Sequence, residues 1–269
     1  MPRRECFDEV RSYYERILPF YEKESVARAH LAFWRGLARQ WRPRRILEIG
    51  AGLGRVTAAL SRHAPAVGID ISLAMLAAAG RQRPVSPRAR FVAADMRCVG
   101  FDCEFDLMVA PSDPFSHLTA LADRRRALRC VAHQLSPGGR FVLEGLYRRR
   151  RESEILERRI RHASGVLHIR EAWRPLGAAN LWKASYRYCD RRPGAADRKM
   201  EASFVARAWE PRKIRPLFSS CGLTIDALWG DFDRRPFSKG ASRLVVVARR
   251  RVDGRRKTGD GRPSASRVG

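Results

Sequence analysis

No apolar stretch in this 269-residue chain approaches the length of about 18 residues that marks a membrane-spanning helix. Met1-Pro-Arg-Arg-Glu-Cys6 likewise leads into no apolar signal core, so a soluble, cytoplasmic protein without a membrane partner is expected. The six cysteines (Cys6, Cys98, Cys103, Cys130, Cys189 and Cys221) contain no C-x-x-C pair and neighbour no histidine cluster. No metal site is indicated, and reduced, structural thiols are expected. Lysine is scarce: six of the 54 basic residues are lysine and 48 are arginine, against 28 acids, for a net charge of +26. Such a charge ordinarily points to nucleic acid. Arginine in this excess beside abundant alanine is also what GC-rich coding produces, and residues 249–269 alone hold eight basic side chains against Asp253 and Asp260. A merely basic surface is the favoured reading and a nucleic-acid partner the less favoured one.

The apolar share of 45% is that of an ordinary globular protein, and the length allows one large α/β core, with or without an insertion. The chain is organised around Arg45-Ile-Leu-Glu-Ile-Gly-Ala-Gly-Leu-Gly-Arg-Val-Thr-Ala-Ala-Leu60. Ile46, Leu47 and Ile49 form the short apolar run of a buried parallel strand, and Val56, Ala59 and Leu60 return at helical spacing. Between them Gly50, Gly52 and Gly54 let backbone approach a ligand, while the amides that open the helix face an acceptor.

A dinucleotide fingerprint would need its third glycine at position 55, which is Arg55. The pattern present, E-x-G-x-G-x-G from Glu48, resembles motif I of the class I S-adenosylmethionine-dependent methyltransferases. Four further landmarks follow in that family's order: Ala66-Val-Gly-Ile-Asp70, Phe91-Val-Ala-Ala-Asp95-Met96, Phe105-Asp-Leu-Met-Val-Ala110, and Leu135-Ser-Pro-Gly-Gly-Arg-Phe-Val-Leu-Glu144. The resemblance covers about residues 45–145. It implies an α/β, doubly wound, mostly parallel seven-stranded Rossmann-like sheet with an antiparallel last strand, binding S-adenosylmethionine (product S-adenosylhomocysteine) without a metal. Carried over by position, Glu48, Gly50, Ala51, Gly52 and Gly54 form the turn. Asp70 takes the ribose hydroxyls beside Ile71 and Met75, Asp95 and Met96 meet the adenine, and Ala110 ends the fourth strand.

Outside the motifs, residues 5–24 have loose helical spacing broken by Pro19, and a second helix over Ser25–Trp41 is capped by Ser25. In the small-molecule branch such leading helices form a lid, which makes Tyr14 and Tyr21 candidate substrate contacts. Helices are expected over 53–63, 73–82 and 123–134, and an exposed amphipathic helix over 147–161. Three strands at 166–173, 181–188 and 200–209 lie outside the parallel core, and by the resemblance roof the substrate pocket or form a subunit interface, which leaves a homodimer open. A helix over 211–221 stopped by Gly222 precedes a final strand pair, and a disordered tail follows residue 251. The resulting division is 1–42 lid, 43–148 cofactor core, 149–209 insertion, 210–251 completion of the core sheet and 252–269 basic tail.

Ligands of open α/β sheets bind outside the strands' carboxyl ends, which directs attention to Ala110-Pro-Ser-Asp-Pro-Phe-Ser-His117. Nucleobase amino-methyltransferases place D/N-P-P-Y/F there, and the displaced Asp113-Pro114-Phe115 argues against a nucleobase amine. His117 is the candidate base, because its ordinary pKa lies near neutrality, and Asp113 is a candidate for holding a substrate amine. Phe115, Glu144 and Tyr147 border the same space. Asp231 and Asp233 lie in a long connection that the family's topology brings to the same edge. The expected function is methyl transfer to an amine or hydroxyl of a small molecule. The alternatives are a methyltransferase of RNA or another macromolecule, and a non-catalytic cofactor-binding protein.

Overall fold

The computed structural model describes residues 5–24, 28–81, 86–148, 152–177, 180–241 and 243–251. The capping role of Ser25 and the tail 252–269 therefore fall outside the described residues. In β1 (Ile46–Ile49) four consecutive residues are buried, as a strand covered on both faces requires. Parallel partners β2 (Ala66–Asp70) and β4 (Phe105–Ala110) flank it, β3 (Ala89–Ala93) lies outside β2, and β5 (Leu135–Gly145) lies outside β4. β6 (Glu154–His162), β7 (Gly165–Leu176), β8 (Leu181–Arg191) and β9 (Arg198–Arg207) form a separate antiparallel sheet in that order. The chain then returns as β10 (Leu223–Trp229) and β11 (Leu244–Arg250), with β11 inserted antiparallel between β5 and β10. The large sheet reads β10-β11-β5-β4-β1-β2-β3. Its order reverses between β1 and β4, and that switch point places a ligand site at the carboxyl ends of these two strands.

Helices α1 (Glu5–Tyr21), α2 (Arg28–Trp41), α3 (Arg55–Leu60), α4 (Leu73–Arg81), α5 (Leu121–Gln134) and α6 (Pro211–Ser219) complete the layers. Phe33, Trp34 and Leu37 of α2 pack with Ile46, Val56, Leu107 and Val245, whereas Tyr13, Ile17 and Phe20 of α1 pack on Leu167, Ile169 and Tyr188 of the small sheet. The first helix thus bridges the insertion to the core. Pro19 does not break it, contrary to expectation. The proline sits in the last turn, where one lost hydrogen bond matters little, and Arg55 donates from outside to the carbonyls of Tyr21 and Glu22.

The amphipathic helix expected over 147–161 is corrected to a strand: Glu154–His162 pairs with β7, from Glu154 opposite Trp173 to His162 opposite Gly165. Its Glu and Arg residues prefer helix in isolation, but nine ladder partners outweigh that preference. Both faces of this edge are largely exposed, so its charges give no alternation to read, and they suit an edge that must not pair further. A smaller difference occurs at Leu135, which begins β5 directly behind α5 and pairs with Phe105. The Pro-Gly-Gly turn is a register shift inside the strand, with Gly138 at φ +78°.

Candidate functional site

The glycine turn leaves β1 with positive φ at Gly50 (+73°), Gly52 (+51°) and Gly54 (+67°). The three glycines serve different neighbours. A Cβ on Gly50 would lie 2.5 Å from Pro114 Cβ, and one on Gly54 would lie 2.3 Å from the Phe91 ring. These two allow close internal packing. Only Gly52 faces open space, with nothing within 4 Å of such a Cβ, and its amide is held at 2.8 Å by Asp70 Oδ2. Asp70 Oδ1 accepts from Ser72 N at 2.9 Å. Each carboxylate oxygen keeps a free lone pair, so Asp70 can shape the turn and still receive the two hydroxyls of a ribose. Burial raises its pKa, partly offset by these amides.

Glu48, the first residue of the motif, is buried behind the turn and accepts from the Thr57 hydroxyl. Burial pushes its carboxyl up to about 8, against the lowering effect of Thr57. A carboxyl raised in the folded state contributes stability that is complete below its unfolded value of 4.5 and is lost as pH rises through about 8. Glu48→Gln should therefore flatten the fall in melting temperature between mildly acidic and alkaline pH without changing cofactor affinity. Parallel pH profiles for variant and parent would refute this.

Two adjoining cavities open at the carboxyl ends of β1, β2 and β4. The first is lined by Gly50, Gly52, Asp70, Ile71, Met75 and Met96, among others. Asp95 also borders it, with its carboxylate engaged by Arg97 Nε and Nη2 at 2.9 and 2.6 Å. The second, of about 470 Å³, lies under the insertion sheet and is lined by Trp173, Tyr186, Tyr188 and Phe204 together with Asp113, Glu144 and Tyr147. Tyr14, Tyr21, Ser112 and His117 border both. Glu48, Ala51, Gly54 and Ala110 touch neither cavity, and Phe115 is fully buried in the core against Phe141 and Trp209.

Between the cavities, Tyr14 Oη and His117 Nε2 are 2.9 Å apart, while His117 Nδ1 is buried without a partner. Burial lowers the imidazole to about 4, so it is neutral at physiological pH. Asp113 Oδ2 accepts from Leu146 N at 2.6 Å and Trp209 Nε1 at 2.9 Å, and Oδ1 is buried without a partner. Burial raises this carboxyl to about 6 despite Arg124 nearby. Unsatisfied buried polar atoms are uncommon in proteins and are the atoms a substrate would complete.

Ser112 and Asp113 both take left-handed backbone, φ +56° and +48°, a strain that surrounding contacts must hold in place. Glu144 supplies one of these contacts by accepting from Ser112 N at 2.8 Å. Its carboxylate also meets His30 Nε2 at 2.9 Å and Arg243 Nη1 at 2.7 Å. Although burial opposes it, hydrogen bonding and charge from His30, with Ser112 N and Arg243, hold Glu144 below its usual range. In the 231–237 loop, Asp231 lies 3.3 Å from Arg243 Nε and so reaches the second cavity through it. Asp233 pairs with Arg235 at 2.8 Å on the exposed side and lines no part of the cavity. Phe232 stacks on Phe33.

The sequence reading overlooked Ser112, His30, Arg243 and the roof residues Tyr186, Tyr188 and Phe204. For the two roof tyrosines a signal existed, since both alternate onto the inner face of a strand. His30 and Arg243 become neighbours of Glu144 only through packing, and no local pattern marks them. Among the described residues no group of three metal-ligating side chains occurs, and no helix is long and apolar enough to cross a membrane.

Residues 46–139 match the sequence profile of the family described as methyltransferase domain. No curated protein matches the chain by sequence. Among solved structures, CalS10 of Micromonospora echinaspora, an amino pentose methyltransferase involved in calicheamicin biosynthesis, superimposes with a TM-score of 0.71 at 20% identity, covering 86% of this chain and 95% of its own. An S-adenosylmethionine-dependent methyltransferase of Clostridium acetobutylicum gives 0.72 at 15% identity, covering 92% and 100%. The sugar N-methyltransferase KedS8 of a Streptoalloteichus species gives 0.71 at 20% identity, covering 87% and 92%. Identities this low establish a shared fold.

Proposed function

For a chain whose residues 46–139 match the methyltransferase domain profile, we propose transfer of a methyl group from S-adenosylmethionine to a neutral amine or hydroxyl of a small molecule held beneath the insertion sheet. The observation that carries this reading is the pair of cavities meeting at Tyr14, Tyr21, Ser112 and His117. One has the acid and the open glycine for a nucleoside, and the other has room for a molecule of modest size. When bound, the cofactor supplies an electrophilic methyl group, and the protein's task is then alignment and exclusion of water. Asp70, with Gly52 and Met75 beside it, would hold the ribose edge, and Asp95 and Met96 would border the base.

His117, neutral because its pKa is near 4, is suited to accept a hydrogen bond from the nucleophile and aim its lone pair. It holds a proton too weakly to serve as a strong base. Asp113 Oδ1 offers a second acceptor, which favours a substrate with two hydrogens to donate, as an amine has. The amino pentose and sugar N-methyltransferases among the fold neighbours are in line with an amine. The test is a screen of small amines, amino sugars and phenols with isotopically labelled cofactor, read by mass spectrometry. Once a substrate is found, His117→Ala should lower kcat by about 10²-fold, the loss expected when a contact that aims the nucleophile is removed, and Tyr14→Phe by less. Methylation of RNA but of no small molecule would overturn the reading.

A further inference from the structure

We propose that the outward face of the β6–β9 sheet is a docking surface for the phosphate backbone of a double-stranded nucleic acid, separate from the methyl-transfer site. The pairing registers define this face. One row runs Glu157, Arg170, Arg187, Glu201, the next runs Ile155, Ala172, Ser185, Ser203, and a third pairs Arg174 with Lys183 and Val205. On the other side of the central row, Arg159 is level with His168, Cys189 and Lys199, and Arg161 with Val166 and Arg191. Cations outnumber acids eight to two on the face. Among the described residues, Arg159, Arg161, Arg174, Lys183 and Lys199 have no ion-pair partner. The alternate side chains point inward, and those of Trp173, Tyr186, Tyr188 and Phe204 roof the second cavity. A ligand on the outer face is therefore separated from the reacting groups by the sheet.

The composition of the face selects the partner. Its centre, Ala172, Ser185 and Ser203, is a shallow depression of about 440 Å³ bordered by Arg16, Arg170, Lys183 and Arg187. Glu201 and Tyr186 border it as well, but the Tyr186 ring is engaged on the inner side with Tyr188, Phe204 and Glu171, so the outer face presents no aromatic or large aliphatic anchor of the kind that dominates protein interfaces. The exposed Ile155 and Val205 lie at its margins, too few to insert into a bilayer. Without aromatic rings to stack on bases it does not suit single strands. Lys183, Arg187 and Arg191 recur at every fourth residue of β8, about 13.6 Å apart, and a duplex, with one phosphate per about 1.7 Å of its axis, presents charge densely enough to meet cations at that spacing.

The experiment measures binding of the full chain to a short fluorescent DNA duplex by anisotropy, from about 50 to about 200 mM salt. The triple variant Arg159→Glu, Arg174→Glu, Lys183→Glu is compared with Arg125→Glu, Arg126→Glu, Arg129→Glu, an equal charge change on the exposed side of α5. The face variant is expected to lose at least tenfold in affinity and to flatten the salt slope by about one per contact removed. The α5 variant should lose far less, and both should keep the parent's cofactor affinity, which reports that they fold. Equal losses in the two variants, tighter binding of a single strand, or an acidic polypeptide that competes as strongly as the duplex would overturn the proposal. Because the readout is binding, its failure is distinct from failure of the methyl-transfer reading.

Discussion

Asp70→Ala is expected to weaken S-adenosylmethionine binding by about a hundredfold or more in calorimetry. The carboxylate stands at the carboxyl end of β2 and borders the first cavity. Each charged hydrogen bond lost costs about 1.5–3 kcal/mol, and a ribose would present two hydroxyls, so the loss reaches tenfold per bond or beyond. A second effect adds to this, because Asp70 Oδ2 also fixes the Gly52 amide. Without it Gly52, where an added Cβ would meet nothing within 4 Å, loses its anchor. Asp70→Asn keeps an acceptor and should fall between the variant and the parent. Because burial raises the folded pKa of Asp70 above 3.8, the charged form is surrendered earlier than usual as pH falls, and cofactor affinity should begin to decline at a higher pH than an ordinary aspartate would give. Unchanged affinity in the alanine variant would remove Asp70 from the site, and tighter binding of NAD than of S-adenosylmethionine would reject the assigned cofactor.

Glu144→Ala should reduce kcat by about 10²-fold while leaving cofactor affinity within a few-fold of the parent. Ser112 borders both cavities and is followed by Asp113, two consecutive left-handed residues. The hydrogen bond from Ser112 N to Glu144 is a direct restraint on that conformation. Arg243 and His30 hold the carboxylate from β11's start and from α2, so the loop's geometry is tied to the last hairpin and to the leading helices. Release of the strain would move Asp113 and His117 together, and a displacement of about 1 Å in a catalytic arrangement is enough for a loss of this size. Glu144→Gln retains one acceptor and should recover part of kcat. The folded pKa of Glu144 lies below its ordinary 4.5, so the brace is fully present above that pH and is lost only as pH falls below it. A rise in substrate KM with kcat unchanged would instead make Glu144 a substrate contact.

The corrected β6 shows where local reading ends. Glu154–His162 is rich in helix-favouring charged residues and exposed on both faces, and only its ladder with β7 makes it a strand. Pro19 was misread for a related reason, since whether a proline breaks a helix depends on its distance from the end, and the end is set by what Arg55 and the insertion sheet offer α1. The placements of Asp231 and Asp233, two residues apart, diverge because one meets Arg243 and the other its own neighbour Arg235.

The sequence by itself determined the strand, glycine turn and helix around residues 45–60 and the alternation of helices and strands that follows, and the order of its motifs carried the resemblance that implied a seven-stranded α/β sheet. The local elements rest on short-range chemistry: positive φ that glycine tolerates and apolar runs that must be buried, all within a few residues of one another. Only the tertiary structure decided which glycines of the turn lie against packed side chains and which does not, and that Tyr14 meets His117 across 103 residues. It also decided that Glu144 braces the strained loop and that one face of the insertion is aromatic while the other is cationic. These depend on packing between distant segments, where the free energy of a contact is gained only after the whole fold has brought its partners together.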